Sequence, residues 1–182
     1  VSAQILFGLL GMMVIGLYTV YYASNQDNAA RVEQLLNSTY SIVIEMEKMA
    51  ARGEMSDDDA KQIATSLLRN NRYHASEYVY VADERMNFVA APLEPELHGT
   101  SFHEFTDADG RSVADIMLGA LASAGNELAR YPWVLKKADG TLEEKLSIAK
   151  TSPRWKWVVG TGIGFNEANA RKEIEKIISD TE

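Results

Sequence analysis

From Ile5 to Ala23 the chain runs through about nineteen residues without a charge (ILFGLLGMMVIGLYTVYYA), and no later stretch is comparable. As a helix this run would extend roughly 28 Å, the hydrocarbon thickness of a bilayer, so the pattern predicts a transmembrane helix over residues 1–23. Tyr18, Tyr21 and Tyr22 gather at the end facing the rest of the chain, where an interfacial aromatic belt would sit. The run exceeds the usual signal-peptide core of about 7–15 residues and no A-x-A site follows it, which favours a retained anchor over a cleaved leader.

Beyond a short polar stretch the period becomes helical. Val32, Leu35, Thr39, Ile42, Met46 and Met49 alternate spacings of three and four, as a heptad seam does. A second stripe, Leu36, Val43 and Ala50, lies one residue on, so a helix over residues 24–53 has two apolar faces and calls for two packing partners, its own domain and a second subunit. A single wide face buried in one core accounts for the stripes equally well. Gly53 suits a left-handed cap. Ser56, followed by Asp57, Asp58 and Asp59, then starts another helix that runs to about Asn70.

The period next changes to two. Glu77–Ala82 alternates aromatics with valines, residues 83–86 make a turn, and Asn87–Ala91 is a second run stopped by Pro92, which together predict a hairpin. A loop leads to a turn at Asp107-Ala108-Asp109-Gly110, then to a helix over Ser112–Ser123 closed by Gly125. Three further strands are expected at Glu127–Leu135, Leu142–Lys150 and Trp155–Thr161, and a final helix, capped by Asn166, at 166–182. The predicted fold class is α+β with a five-stranded antiparallel sheet, the sensing domain occupying residues 54–165.

Charge and composition remove several functions. The net charge of −8 argues against a nucleic-acid partner, and the absence of cysteine excludes disulfides, iron–sulfur clusters and thiol catalysis. Gly160-Thr161-Gly162-Ile163-Gly164 resembles a dinucleotide loop, but a Rossmann unit needs a second parallel strand that the remaining residues do not supply; the glycines instead let a strand approach a neighbour closely. Asp107-x-Asp109-Gly110 opens like a calcium loop without its later ligands and reads as a turn. His74, His98, His103 and Glu104 could bear on a metal only as scattered loop residues. No nucleophile–base order stands out, so neither an enzyme, a cofactor nor a metal centre is expected.

The strands are more informative. Tyr78 and Tyr80 share one face of the first, Tyr131 and Trp133 one face of the third, and Lys145 and Ser147 one face of the fourth. Phenol, indole and ammonium groups all donate hydrogen bonds, and such a cluster suits a small carboxylate. Ordinary strand composition explains the same residues equally well.

The order of motifs adds a resemblance. Arg72-Tyr73, Tyr78-Val79-Tyr80-Val81, Ala90-Ala91-Pro92, Glu96-Leu97-His98-Gly99, Asp107-Ala108-Asp109-Gly110, Tyr131-Pro132-Trp133, Lys145-Leu146-Ser147 and Trp155 through Gly162 closely resemble the single Cache family, the extracytoplasmic sensors of bacterial chemoreceptors. The resemblance implies a PAS-like sheet flanked by a long N-terminal helix, a homodimer, and a pocket for short organic acids on one sheet face. It further implies ligand contacts from Arg72, Tyr80, Tyr131, Trp133 and Lys145, with Tyr78, Ala91, Ser147 and Gly164 shaping the pocket. Three positions depart from the family pattern: Ala91 replaces a His, Ile148 a Tyr, and Gly164 a Tyr, which implies a roomier pocket with fewer polar groups. The implied protein is a chemotaxis receptor in the bacterial inner membrane with its sensor in the periplasm; a histidine kinase or cyclic-dinucleotide enzyme could carry the same domain. A pilin-like subunit is the structural alternative, but its characteristic Glu within the apolar helix is missing here, where the first acid is Asp27.

Overall fold

The computed structural model describes residues 3–71, 78–136 and 140–164. In chain order these form α1 (Ala3–Ala51), α2 (Asp57–Asn70), β1 (Tyr78–Ala82), β2 (Phe88–Ala90), α3 (Val113–Ala124), β3 (Ala129–Lys136), β4 (Leu142–Thr151) and β5 (Val158–Gly164), with short 3-10 turns at Pro95–Leu97 and Phe102–Glu104. The chain divides into two compact units, and the one carrying the sheet runs from Val32 to Phe165. Its five strands are antiparallel in the order β2-β1-β5-β4-β3. The α+β class and the strand count agree with the sequence pattern.

Caps fall where the sequence places them. Ser56 Oγ accepts the Asp59 N–H at 3.1 Å, and Ser112 Oγ accepts the Asp115 N–H at 3.2 Å. Gly53 and Gly125, which follow α1 and α3, take φ values of +71° and +65° that side chains disfavour. In the β1–β2 turn Asp83 accepts from the N–H groups of Arg85 and Asn87, which fixes the hairpin. Asp107 likewise accepts from the N–H groups of Asp109 and Arg111 and from the Arg111 guanidinium, so its carboxylate organises a turn.

Alternation on the sheet separates two cores. On one face Val81, Ala90, Ile148 and Val159 pack under α1 (Val32, Leu36, Val43) and α2 (Ala60, Ala64, Leu68). On the other, Tyr80, Phe88, Ala129, Tyr131, Trp133 and Ala149 pack under α3 and the loop bearing Phe102. Burying both faces of the sheet this way is what lets a single small domain hold together.

Three expectations need correction. The two stripes expected on α1 are not separate faces: Val32 and Thr39 of the heptad stripe are buried with Leu36 and Val43 within the protein's own domain, leaving Leu35, Ile42, Met46 and Met49 half-buried. Strand β5 begins at Val158 rather than Trp155, because Lys156 adopts φ +57° and Trp157 N–H bonds to Ser152 Oγ at 3.0 Å, placing both tryptophans in the β4–β5 turn. Consequently the Gly160–Gly164 run lies inside a strand rather than after it. The expected membrane run falls within α1, where most of its side chains lie outside the described residues; Val14 and Ile15 are exposed. Among the described residues no helix is long and apolar enough to cross a membrane. The expected 166–182 helix lies outside the described residues.

Candidate functional site

Register brings the predicted strand residues into rows across the α3-facing side of the sheet. Tyr80 stands opposite Gly160, which stands opposite Ala149, which pairs with Ala129. The next row is Tyr78, Gly162, Ser147 and Tyr131, and the third is Gly164, Lys145 and Trp133. Strand β5 therefore contributes bare backbone in each of these three rows, its Val158 standing on the same face at the start of the strand. Between the aromatics of β1 and β3 lies a floor of Gly, Ala and Ser, with Lys145 at its far end.

The two phenols meet above that floor. An ideal Cβ on Gly160 would stand 2.1 Å from the Tyr80 ring, so the missing side chain is what allows Tyr80 to lie flat across β5. Its hydroxyl reaches the Tyr131 hydroxyl at 2.8 Å although β5 and β4 separate their strands, and it donates to Met117 Sδ of α3 at 2.7 Å. Phe102 and Phe88 pack against the Tyr80 ring at centroid distances of 4.9 and 6.0 Å, and Phe102 and Phe105 pack edge-on against Trp133. Aromatic walls of this kind exclude water and strengthen any polar contact made inside.

Burial pushes the Tyr131 phenol up to about 12, with the hydrogen bond to Tyr80 and the proximity of the Ser147 hydroxyl pulling the other way. Tyr131 is thus a neutral donor at any physiological pH. The enclosed Ser147 Oγ lies close enough to favour the ionised phenol but outside hydrogen-bond geometry, and it has no hydrogen-bond partner among the described residues. Lys145 Nζ stands 5.1 Å from the centre of the Trp133 ring, which holds the ammonium at the edge of the floor. A hydroxyl, two phenols and an ammonium thus share the sheet face on which β5 is bare backbone.

Of the sequence-predicted residues, Tyr80, Tyr131, Trp133, Lys145 and Ser147 share this face, and Gly164 pairs with Lys145. Ala91 is buried in the same core. Tyr78 is on β1 opposite Gly162, its side chain outside the described residues; Arg72 and His74 also lie outside them. Ile148 faces α1 and α2 instead, so its departure from the family pattern removes nothing from the site. Sequence reading missed Met117, which falls within the helix expected over Ser112–Ser123, and did not show that Gly160 and Gly162 lie on the sheet face that carries the aromatics. The alternating glycines were the available signal. Among the described residues no three metal-ligating side chains cluster. An open groove of about 980 Å³ lies between α2 and the β1–β2 turn, where Lys61 and Arg69 face Asp83, Glu84 and the Asp57–Arg154 pair, so that its lining mixes both charges.

The family model described as Single Cache domain 2 matches residues 24–178, and the chain belongs to that family. It is 30% identical over 138 residues to the sensor histidine kinase MctS of Rhizobium johnstonii, a match covering 76% of this chain and 30% of that protein. It is 21% identical over 145 residues to the methyl-accepting chemotaxis protein McpP of Pseudomonas putida, covering 80% of this chain and 26% of that one. The chain thus spans less than a third of either relative's length. A solved periplasmic sensor domain of a chemotaxis protein superposes with a TM-score of 0.63 at 29% identity, covering 78% of this chain and 97% of the other. A Cache chemosensory domain described for carboxylic acid recognition superposes with a TM-score of 0.62 at 23% identity, covering 82% and 98%. This is a Cache sensor domain of the kind carried by chemotaxis receptors and sensor histidine kinases, a ligand-binding module rather than a catalytic one.

Proposed function

We propose that the domain senses a small organic carboxylate in the periplasm and passes the resulting conformational change across the inner membrane as part of a homodimeric chemoreceptor. The observation that carries this reading is a row of donors on one sheet face beside the glycines of β5: the Tyr80 and Tyr131 hydroxyls in contact, Ser147 paired with Tyr131, and Lys145 Nζ over the Trp133 ring. All four donate to a carboxylate, and an enclosed anion needs charge-assisted donors of this sort. Carboxylic acid recognition in a domain of the same fold, and the apolar Ile5–Ala23 run as a membrane anchor, support it. A sensor kinase is the second reading, favoured by the match to MctS. The sensing chemistry is identical in both.

Calorimetric titration of the 182-residue chain with acetate, pyruvate, lactate and butyrate tests the site. Binding of at least one acid is expected, with Lys145→Met weakening it by about 2–5 kcal/mol if the ammonium is desolvated in the complex. Undiminished affinity in that variant would remove Lys145 from the site. The small residues Ala91 and Gly164, where the family resemblance implies a His and a Tyr, are expected to favour three- and four-carbon acids over acetate, whose four heavy atoms limit it to roughly −6 kcal/mol.

A further inference from the structure

The Tyr80 hydroxyl joins three elements. It sits on β1, lies 2.8 Å from the Tyr131 hydroxyl of β3 and donates to Met117 Sδ of α3 at 2.7 Å. A phenol has one proton to give, so with that proton on sulfur the Tyr131 hydroxyl supplies the proton of the second bond. Tyr80 and Met117 are both 0% exposed and Tyr131 is 4% exposed, so bulk water does not compete for either hydroxyl. Ser147 Oγ, 1% exposed and without a hydrogen-bond partner among the described residues, stands in the adjoining row beside Tyr131. The buried network therefore uses a thioether, a weak acceptor, where a better acceptor would be preferred.

We infer that Met117 is an affinity-setting positioning residue: its sulfur holds the Tyr80 proton in the unliganded domain, and a carboxylate entering beside Ser147 and Lys145 takes that proton's place of donation, freeing α3 from β1. This rests on the carboxylate reading of the site. No covalent bond changes; one O–H···S contact is exchanged for an O–H···O contact to an anion, which is stronger because the acceptor is charged. The sulfur and the ligand compete for a single donor. Removing the sulfur while keeping its volume should therefore tighten ligand binding, the opposite of what loss of a pocket residue ordinarily does.

The test is calorimetry with pyruvate and butyrate on the 182-residue chain in detergent micelles, alongside thermal unfolding without ligand. Met117→Leu conserves volume and removes the acceptor. It should raise affinity for whichever acid binds by about 3- to 10-fold, the worth of one net hydrogen bond, and lower the unfolding temperature of the unliganded protein. Introduced into Tyr80→Phe, which has no proton to give, Met117→Leu should produce neither change. Equal or weaker affinity in Met117→Leu overturns the inference, as does the same gain in the Tyr80→Phe background. If none of acetate, pyruvate, lactate and butyrate binds the unsubstituted protein, the carboxylate reading itself fails and this inference falls with it; acid binding to the unsubstituted protein with an unmoved Met117→Leu condemns the inference alone.

Discussion

Thr161 sits at the centre of β5 on the face turned toward α1, 0% exposed, and its hydroxyl has no hydrogen-bond partner among the described residues. A hydroxyl taken out of water without a partner costs free energy that an isosteric methyl does not. Thr161→Val should accordingly raise the stability by about 1 kcal/mol, seen as a higher urea midpoint at unchanged slope. His98 offers a pH-dependent counterpart. Burial pushes its pKa below the ordinary value, the Arg69 charge adds to the effect, and bonding to the Ala91 carbonyl and the Glu96 charge oppose it. The unfolded chain then binds the proton more readily than the folded one, so stability is full above about pH 6.5 and falls as the pH drops through and below that value. Unfolding curves between pH 7.5 and 5 should show this decline flattened in His98→Gln. An equal slope in both proteins would assign the decline to other groups.

At the scale of elements, the β4–β5 turn ties the helices to the sheet. The buried Glu47 of α1 accepts the backbone N–H groups of Arg154 and Trp155 at 3.2 and 2.8 Å, while Asp57 at the start of α2 accepts from Trp155 Nε1 at 2.7 Å and from the Arg154 guanidinium. Those two donors hold Asp57 far below the usual carboxylate range. Strand β5 is thereby anchored at one end to α1 and, through Gly160, carries the Tyr80 ring in its middle. Gly160→Ala places a methyl where the ring already lies, and the expected cost is about 1–3 kcal/mol of overpacking. Tyr80→Ala in the same chain should remove the clash, so the double variant should lose less than the sum of the two single losses in equilibrium denaturation. Strict additivity would mean that Gly160 and Tyr80 do not meet.

At the scale of the molecule, the apolar stripes of α1 are covered unequally. Val32, Leu36 and Val43 belong to the core beneath the helix, whereas Ile42 and Met46 are only partly covered. Val32→Asp should therefore unfold the domain, with loss of its circular dichroism, while Ile42→Asp should leave the fold intact and weaken self-association by sedimentation. If Ile42→Asp left a dimer unchanged, the half-covered stripe would not be its interface.

Much of this was legible without coordinates. The change of period from helical to alternating located α2, α3 and, with the turn residues between them, the five strands, because each kind of element places its side chains at a fixed repeat. Ser56, Ser112, Gly53 and Gly125 marked helix ends, because caps use local geometry that few residues satisfy. The ordered motifs from Arg72 to Gly162 pointed to the family to which the chain belongs. Sequence alone could not decide which side of α1 the sheet would take, since both stripes are apolar, nor that Trp155 and Trp157 would leave the strand for a turn bound to Glu47, 108 residues away in the first case. Nor could it show that Tyr80 would cross two strands to reach Tyr131, or that Met117 would receive its proton. Such contacts depend on register and on the approach of α3, which are set by packing between distant segments and leave no periodic trace in the residues themselves.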